Sequence, residues 1–471
     1  MTDIISQRVP LPILTALAAA SLTASLGISV ASVLLPTLTR NFGATVSEAQ
    51  WVVLAYLMSV TVTIVSAGRL GDLFGPRRVM ISGLIVFIAA SVLSATASSL
   101  GLLVLARAVQ GVGGAILIAL PMSIARDMVP SGQLGAAMGL LGTTSAAGTA
   151  LGPSLGGLVL TWSDWRMAFW LLAGFATLTL GLALLSVRRD GLRPWASVKS
   201  LDIPGTAVLI VALVAYSLAT SGGAIGIPLS PAVLIAGTLM ALVLFVAVEA
   251  RASAPLVPMT VLLDRTMGAG FAMNILVGTV MMATLVVGPF FLTFSLGLGE
   301  ALVGMVLAVG PVVATLSGVP AGQLTDRYGA RRMMLAGLIQ TILGLLLLAF
   351  LPRQFDVGGY IVALIVLTPA FQMFLAANNT AVMSGASAEQ RGRLSGLLGL
   401  SRNLGLMTGA SAMSTLFVTV MGTGDAADAR VADVSRAFSA TFTAAAVLAM
   451  IAFGVALWSG HQSRNGMWGP T

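Results

Sequence analysis

The chain has 471 residues, of which 57% are hydrophobic and only 8% charged, with a mean hydropathy of +1.00. Several water-soluble domains would fit this length, but so few polar residues could not cover their cores, and the composition points to a polytopic helical membrane protein. The formal net charge of +8 is spread over short connections rather than gathered in one patch, which argues against nucleic acid as a partner.

Taken in order, fourteen stretches approach the roughly 20-residue length of a membrane span. They cover about 11–36, 50–68, 79–98, 101–125, 136–160, 168–187, 204–220, 230–248, 267–294, 301–321, 333–351, 358–384, 395–418 and 438–459. The first follows Arg8 without a small-residue cleavage site and reads as a retained helix rather than a signal peptide. With the N-terminus inside, Arg40, Arg166, Arg353, Arg430 and Arg436 lie on the outer side and Arg107 and Arg402 lie within spans; the other 17 of the 24 basic residues lie on the inner side. That asymmetry supports an even span count with both termini cytoplasmic, in the inner (cytoplasmic) membrane. The absence of cysteine removes disulfides, thiolate chemistry and Cys-held metals, and the single histidine, His461, falls in the C-terminal tail.

Between the second and third spans lies AGRLGDLFGPRRVM, residues 67–80, and between the tenth and eleventh lies AGQLTDRYGARRMM, residues 321–334. At an offset of 254, Gly68, Asp72, Gly75, Arg77 and Arg78 return as Gly322, Asp326, Gly329, Arg331 and Arg332. Two copies of a charged hinge imply two similar halves. We therefore expect six-helix bundles over residues 1–190 and 266–471, with an inserted helix pair in 191–265 bounded by the turn-rich RRDGLRPWASVKSLD and EARASAPLVP. A carboxylate beside a helix N-terminus is favoured by the helix dipole, and arginines can bridge a small gap. Asp72, Arg77, Arg78, Asp326, Arg331 and Arg332 are thus expected to latch one half against the other in one access state; the competing reading is ordinary topogenic charge.

Further motifs accompany the hinge: LVLARAVQGVGGA at 103–115, GTALGPSLGG at 148–157, Trp165, Arg166 and Phe169 just beyond, LDIPG at 201–205, and Arg402 with Gly405. Together and in this order they resemble the major facilitator superfamily, and more narrowly its fourteen-helix drug:proton antiporter group, over essentially the whole chain. The resemblance implies an all-α major facilitator fold with two six-helix bundles plus an inserted pair. It also implies export of lipophilic drug-like compounds, with protons as the coupling ion and no other cofactor or metal. One position departs from the group. Its first helix usually carries an acidic residue, where LGISVASVLLP here has Gly27, and Ser32 stands where asparagine is usual. None of the 16 acidic residues falls in the middle of a span, so a proton carrier would be displaced toward a boundary, with Glu300, Asp202, Asp264 and Asp72 as candidates.

Arg107 sits inside a span, where a guanidinium normally faces a cavity or carbonyls; in the resembled family this residue is linked to proton relay and substrate response, and the competing role is packing. Arg402, nearer the inner face, is expected to make a structural interaction. Gly152 and Pro153 lie in a glycine-rich fifth span that either seals one side of the molecule or simply packs tightly. Candidates for the solute site are Ser29, Tyr56, Gln110, Asn274, Phe291, Gln372, Asn378 and Asn379, a few polar groups within an apolar, Met-rich surface that would accept lipophilic molecules loosely. Any of them could instead be satisfied within a helix interface, and at most one of the adjacent Asn378 and Asn379 should face a cavity.

Alternating access by a monomer embedded in membrane lipid is the expected mechanism. The alternative is a facilitator or symporter for a specific metabolite, including an anion drawn by Arg107. Enzyme chemistry lacks a nucleophile, metal cluster or acid–base pair, and no GxxxxGK[ST] phosphate loop is present.

Overall fold

A computed structural model describes residues 11–128, 134–187, 203–220, 231–251, 264–384 and 388–465. Their regular structure is helical throughout, as lipid demands of a backbone that finds no water to bond. The first group of helices is α1 (Leu11–Phe42), the single turn α2 (Val46–Ala49), α3 (Trp51–Phe74), α4 (Pro76–Ala95), α5 (Leu100–Met128), α6 (Leu134–Val159) and α7 (Trp165–Ser186). A pair follows, α8 (Ile203–Thr220) and α9 (Pro231–Glu249). The last group is α10 (Arg265–Phe290), α11 (Glu300–Tyr328), α12 (Ala330–Phe350), α13 (Pro352–Met383), α14 (Ala388–Thr408), the short α15 (Ser414–Met421) and α16 (Val431–Asn465).

Each of the fourteen expected spans falls on helix. Among the described residues, eleven helical stretches are long and apolar enough to cross a membrane. The remaining three expected spans correspond to α6, several of whose side chains lie outside the described set, and to α8 and α9, whose apolar stretches are shorter.

The sequence repeat is also a backbone repeat. α3 ends at Gly75 (φ 95°, ψ 128°), whose N–H donates to the Gly71 carbonyl at 3.0 Å, and Pro76 opens α4. α11 ends at Gly329 (φ 86°, ψ 144°), whose N–H donates to the Thr325 carbonyl at 2.9 Å. Side chains with a Cβ rarely adopt such angles, so glycine at both positions lets two long helices reverse over one residue. We call the end of the bundle with these turns the hinge end.

Packing follows the same duplication. α1 packs on α5, α6 and α7, and α5 on α3 and α4; in the last group α10 packs on α14 and α16, and α12 on α13 and α16. α6 with α11, α3 with α14, and α1 with α10 join the two groups. α8 pairs with α9 and touches α3 and α14, where the Tyr216 hydroxyl donates to Thr408 Oγ1 at 2.8 Å. The inserted helix therefore lies along a seam between the groups.

Small residues set these approaches, as expected where lipid removes any hydrophobic drive between helices. A Cβ on Gly113 of α5 would lie 2.7 Å from the Gly83 carbonyl oxygen and 2.8 Å from Phe87 N on α4, both backbone atoms that cannot rotate away. Gly113→Ala is therefore expected to cost about 1–3 kcal/mol, read as a lower temperature of aggregation for the detergent-solubilised protein. Gly101→Ala, where nothing lies within 4 Å of a built Cβ, should leave that temperature unchanged.

Candidate solute pathway and gates

Arg107 is fully buried. Its Nε donates to the Val52 carbonyl at 2.9 Å, Nη2 to the Gly27 carbonyl at 2.8 Å, and Nη1 to Gln110 Oε1. Gln110 Nε2 in turn donates to Ser91 Oγ at 2.6 Å. The guanidinium carbon sits 4.3 Å from the Tyr56 ring centre and 5.9 Å from that of Phe169, near enough for the cation to be held by the ring faces. The Tyr56 hydroxyl donates to the Ala24 carbonyl at 2.9 Å. One side chain thus ties α1, α3 and α5 together and reaches α7 through Phe169.

Gly27 explains how a guanidinium stays buried without a carboxylate beside it. A Cβ there would lie 3.0 Å from both Phe87 Cζ and the Tyr56 hydroxyl, so an acidic side chain has little room, and the backbone carbonyl accepts in its place. Of the two roles open to Arg107, facing a cavity or facing carbonyls, the described structure has the second.

Ser29 also belongs to a helix interface: its hydroxyl faces the carbonyls of Ser25 and Gly148 at 3.1 and 3.2 Å. Gly152 lies against Ser29 so closely that any Cβ would overlap its hydroxyl. In the last group, Asn274 Nδ2 donates to the Leu398 carbonyl and to Ser401 Oγ, both at 2.9 Å, and Asn378 Nδ2 to the Gly270 carbonyl at 3.2 Å. Their Oδ1 atoms are buried without a partner among the described residues. Phe291 stacks on Phe438 at 3.9 Å and belongs to an aromatic cluster with Tyr360 and Phe442. Gln372 is half-buried; Asn379 is exposed whereas its neighbour Asn378 is fully buried.

At the end opposite the hinges the two groups touch directly. A Cβ on Gly157 of α6 would lie 2.6 Å from Gly304 Cα and 2.8 Å from the Glu300 carbonyl oxygen; one on Gly304 would lie 2.7 Å from the Pro153 carbonyl oxygen. Thr37 of α1 donates to Glu300 Oε1 at 2.8 Å, Val46 N–H donates to the Gly424 carbonyl at 3.0 Å, and Arg40 lies over the Phe294 ring at 4.9 Å. We call this the sealed end. α6 packs closely on two sides, with Gly148, Gly152 and Gly156 against α1 and Pro153 and Gly157 against α11. Thr37, Gly304, Phe294 and Gly424 gave no sign in the sequence, where they are unremarkable small or apolar residues whose partners lie more than a hundred positions away.

At the hinge end Asp326, Arg331 and Arg332 are exposed, and no ion pair to them occurs among the described residues. Arg77 Nη2 donates to the Leu184 carbonyl at 3.0 Å, within the first group, while Arg78 is exposed. The Asp72 side chain lies outside the described set, as does Asp202.

Arg402 differs from the expectation of a structural interaction. Its side chain has no hydrogen-bond or ion-pair partner among the described residues, and it is exposed. The physical reason is that its backbone, not its side chain, makes the helix contact: the Arg402 carbonyl oxygen and Gly405 abut Gly278 of α10.

The family model described as Major Facilitator Superfamily matches residues 17–296 and 270–470. The chain is 30% identical to the uncharacterized transporter YebQ of Escherichia coli (strain K12), over 84% of this chain and 88% of that one. It is 33% identical to the puromycin resistance protein pur8 of Streptomyces alboniger, over 71% and 67%, and 26% identical to the riboflavin transporter RibZ of Clostridioides difficile (strain 630), over 83% and 84%. Its fold is similar to that of a bacterial homolog of the human lysosomal transporter Spinster, solved inward-facing and unoccupied, with a TM-score of 0.67, 14% identity and 98% of each chain covered.

The carbonyl clamp around Arg107 generates a stability prediction. Arg107→Ala leaves Gln110 Oε1 without its donor, at about 1–3 kcal/mol for an acceptor left unsatisfied, and removes a fully buried side chain that bridges α1, α3 and α5, while the Val52 and Gly27 carbonyls keep their intrahelical bonds; a fall in thermal stability is expected. Arg107→Lys, with one compact ammonium in place of a fork, should fall between the two. An Arg107→Ala protein as heat-stable as the parent would contradict the clamp.

Proposed function

The chain belongs to the major facilitator superfamily, and from that premise we propose that it carries one class of small organic metabolite across the membrane by alternating access, as a facilitator. Secondary transport follows from family membership. The more specific reading rests on a single observation, the fixed geometry of the polar groups first assigned to a loose pocket. Ser29, Tyr56, Gln110, Asn274 and Asn378 are each held by a defined partner. Buried and bonded within helix interfaces, they do not offer the loose polar contacts of a pocket for lipophilic drugs, which removes the support they gave to drug export and leaves the metabolite reading.

The gates supply the mechanism. The sealed end is closed by Gly157 on Gly304 and by Thr37 on Glu300, and at the other end Asp326, Arg331 and Arg332 are exposed. If the basic excess places the hinge end in the cytoplasm, this is an inward-open state, with both termini cytoplasmic. In the outward-open state Asp72, Asp326 and their neighbouring arginines would take over the closing contact while the glycine seam parts. We count α6, α8 and α9 as three further spans beside the eleven, which makes fourteen: six in residues 1–190, two in 191–265 and six in 266–471.

A second reading, proton-coupled export of lipophilic drugs, is favoured by the resistance function named for pur8. RibZ, named for a metabolite, supports the first. Against proton coupling stands the placement of the described acidic residues, at helix ends or in connections, with Gly27 at the position where the antiporter group carries its acid.

Two measurements separate these readings. Because the chain has no cysteine, Thr37→Cys with Glu300→Cys can be joined in proteoliposomes by a short bis-methanethiosulfonate, which links the two thiols through reducible disulfides and releases methanesulfinate. Locking the seal should lower solute flux at least about tenfold, on the scale of a lost conformational step, with recovery after reduction. Continued flux with the seal cross-linked would rule out alternating access through it. In the same vesicles, riboflavin or an aromatic carboxylate should move without any change in internal pH and without inhibition by puromycin. Inhibition by unrelated lipophiles together with solute-dependent proton movement would instead establish the drug:proton reading.

A further inference from the structure

Gln50 closes the short turn α2 and opens α3. With Val46 and Ala49 it is buried, at the spacing of one helix face, while Ser47 and Glu48 between them are half-buried. α2 packs on α1 and, across the seam, on α15 of the last group. The Val46 N–H donates across the same seam to the Gly424 carbonyl at 3.0 Å. Gln50 therefore stands at the sealed end, on the buried face of a turn that meets the opposite group.

Gln50 is 1% exposed, yet neither its Nε2 nor its Oε1 has a hydrogen-bond partner among the described residues. An amide brings two donors and an acceptor oxygen, and buried polar atoms are nearly always bonded. Its surroundings sharpen the contrast. Thr45 and Glu48 satisfy each other in a capping box, Thr37 donates to Glu300, and the similarly buried Gln110 uses both ends of its amide. The next residue, Trp51, also keeps a buried indole N–H without a partner. An apolar side chain of the same length would fill the space at 50 without leaving polar atoms dry. The amide costs stability while water is excluded, and that cost disappears in any state where water reaches it. We propose that Gln50 biases the seal toward opening: its amide is dry while α2 rests on α15 and is hydrated once they part. The Gly157–Gly304 contact and the Thr37–Glu300 bond hold the seal shut, and Gln50 opposes them. The inference rests on the alternating-access reading above and adds the group that keeps the sealed state from becoming a trap.

The test substitutes Gln50→Met, which keeps the length of the side chain and removes both polar groups. Ser163→Cys and Asp428→Cys, exposed at the sealed end of the first and last groups, place one spin label on each group of the otherwise cysteine-free chain. Double electron–electron resonance on the full chain in phosphatidylcholine nanodiscs then reads sealed and parted populations as a short and a long distance. The labelled parent should show both. Gln50→Met should lower the ratio of parted to sealed protein at least about fivefold, the lower end for one buried polar group left unpaired. It should also raise the temperature of aggregation. Gln354→Met, the same exchange at an exposed position of α13, should change neither. A parent with the short distance alone overturns the proposal, as does an unchanged or raised ratio in Gln50→Met. A lower temperature of aggregation in Gln50→Met would mean that buried water satisfies the amide, and would overturn it too. Failure here is distinguishable from failure of the transport reading, because flux through the cross-linked seal is measured with Gln50 in place.

Discussion

The constraint on which this structure depends is how closely helix backbones can approach inside lipid. Burying apolar side chains against one another gains little where the surroundings are equally apolar, so contact is set by shape and small residues decide it. Gly156 and Gly157 are adjacent in sequence and point about 100° apart around α6. Gly156 packs on Val30 and Val33 of α1, in its own half, and Gly157 packs on Gly304 of α11, in the other. One helix is therefore both a fixed part of its bundle and one face of the seam. The proposed alternating access, in which one group of helices moves against the other, would need such a helix, and the adjacent glycines supply its two contact faces.

Charge is distributed by the same economy. Arg107 is held by backbone carbonyls and a ring face and acts as a fastener for α1, α3 and α5. Fixing it this way needs no acid on the first helix, and the tight surroundings of Gly27 leave little space for one. The cation and the missing carboxylate are thus two consequences of one local packing, and the first half is stiffened without a titrating group at its centre.

Much of the fold was legible in the sequence, because a membrane span is announced by its own length and polarity. All fourteen expected stretches fall on helices, and the hinge turns at Gly75 and Gly329 repeat in backbone angle as they do in sequence. The site was less legible. Val52 and Gly27 accept from Arg107 through their carbonyls, atoms that every residue carries, so no residue type could mark them. Phe291 looked like a pocket aromatic and is a core one, stacked on Phe438 from 147 positions away. Arg402, nearer the inner face, was expected to make a structural interaction; the contact with α10 is made by its backbone, not its side chain.

The seal itself has the composition of a contact meant to open. Across it the described polar links are the bond from Thr37 to Glu300, that from Val46 N–H to the Gly424 carbonyl, and the stacking of Arg40 on Phe294; each involves groups near the membrane boundary that water can satisfy once they part. Hydrogen bonds of this kind contribute only about 0.5–1.5 kcal/mol net, because water replaces the lost partner. The buried links within the first half, Tyr56 to Ala24 and Arg107 to Gly27, have no such replacement. Breaking them leaves dry polar groups, and breaking the seal leaves wet ones. The described contacts are therefore weakest along the seam between the two groups of helices and strongest within the first group, the ordering of energies that the proposed alternating access requires.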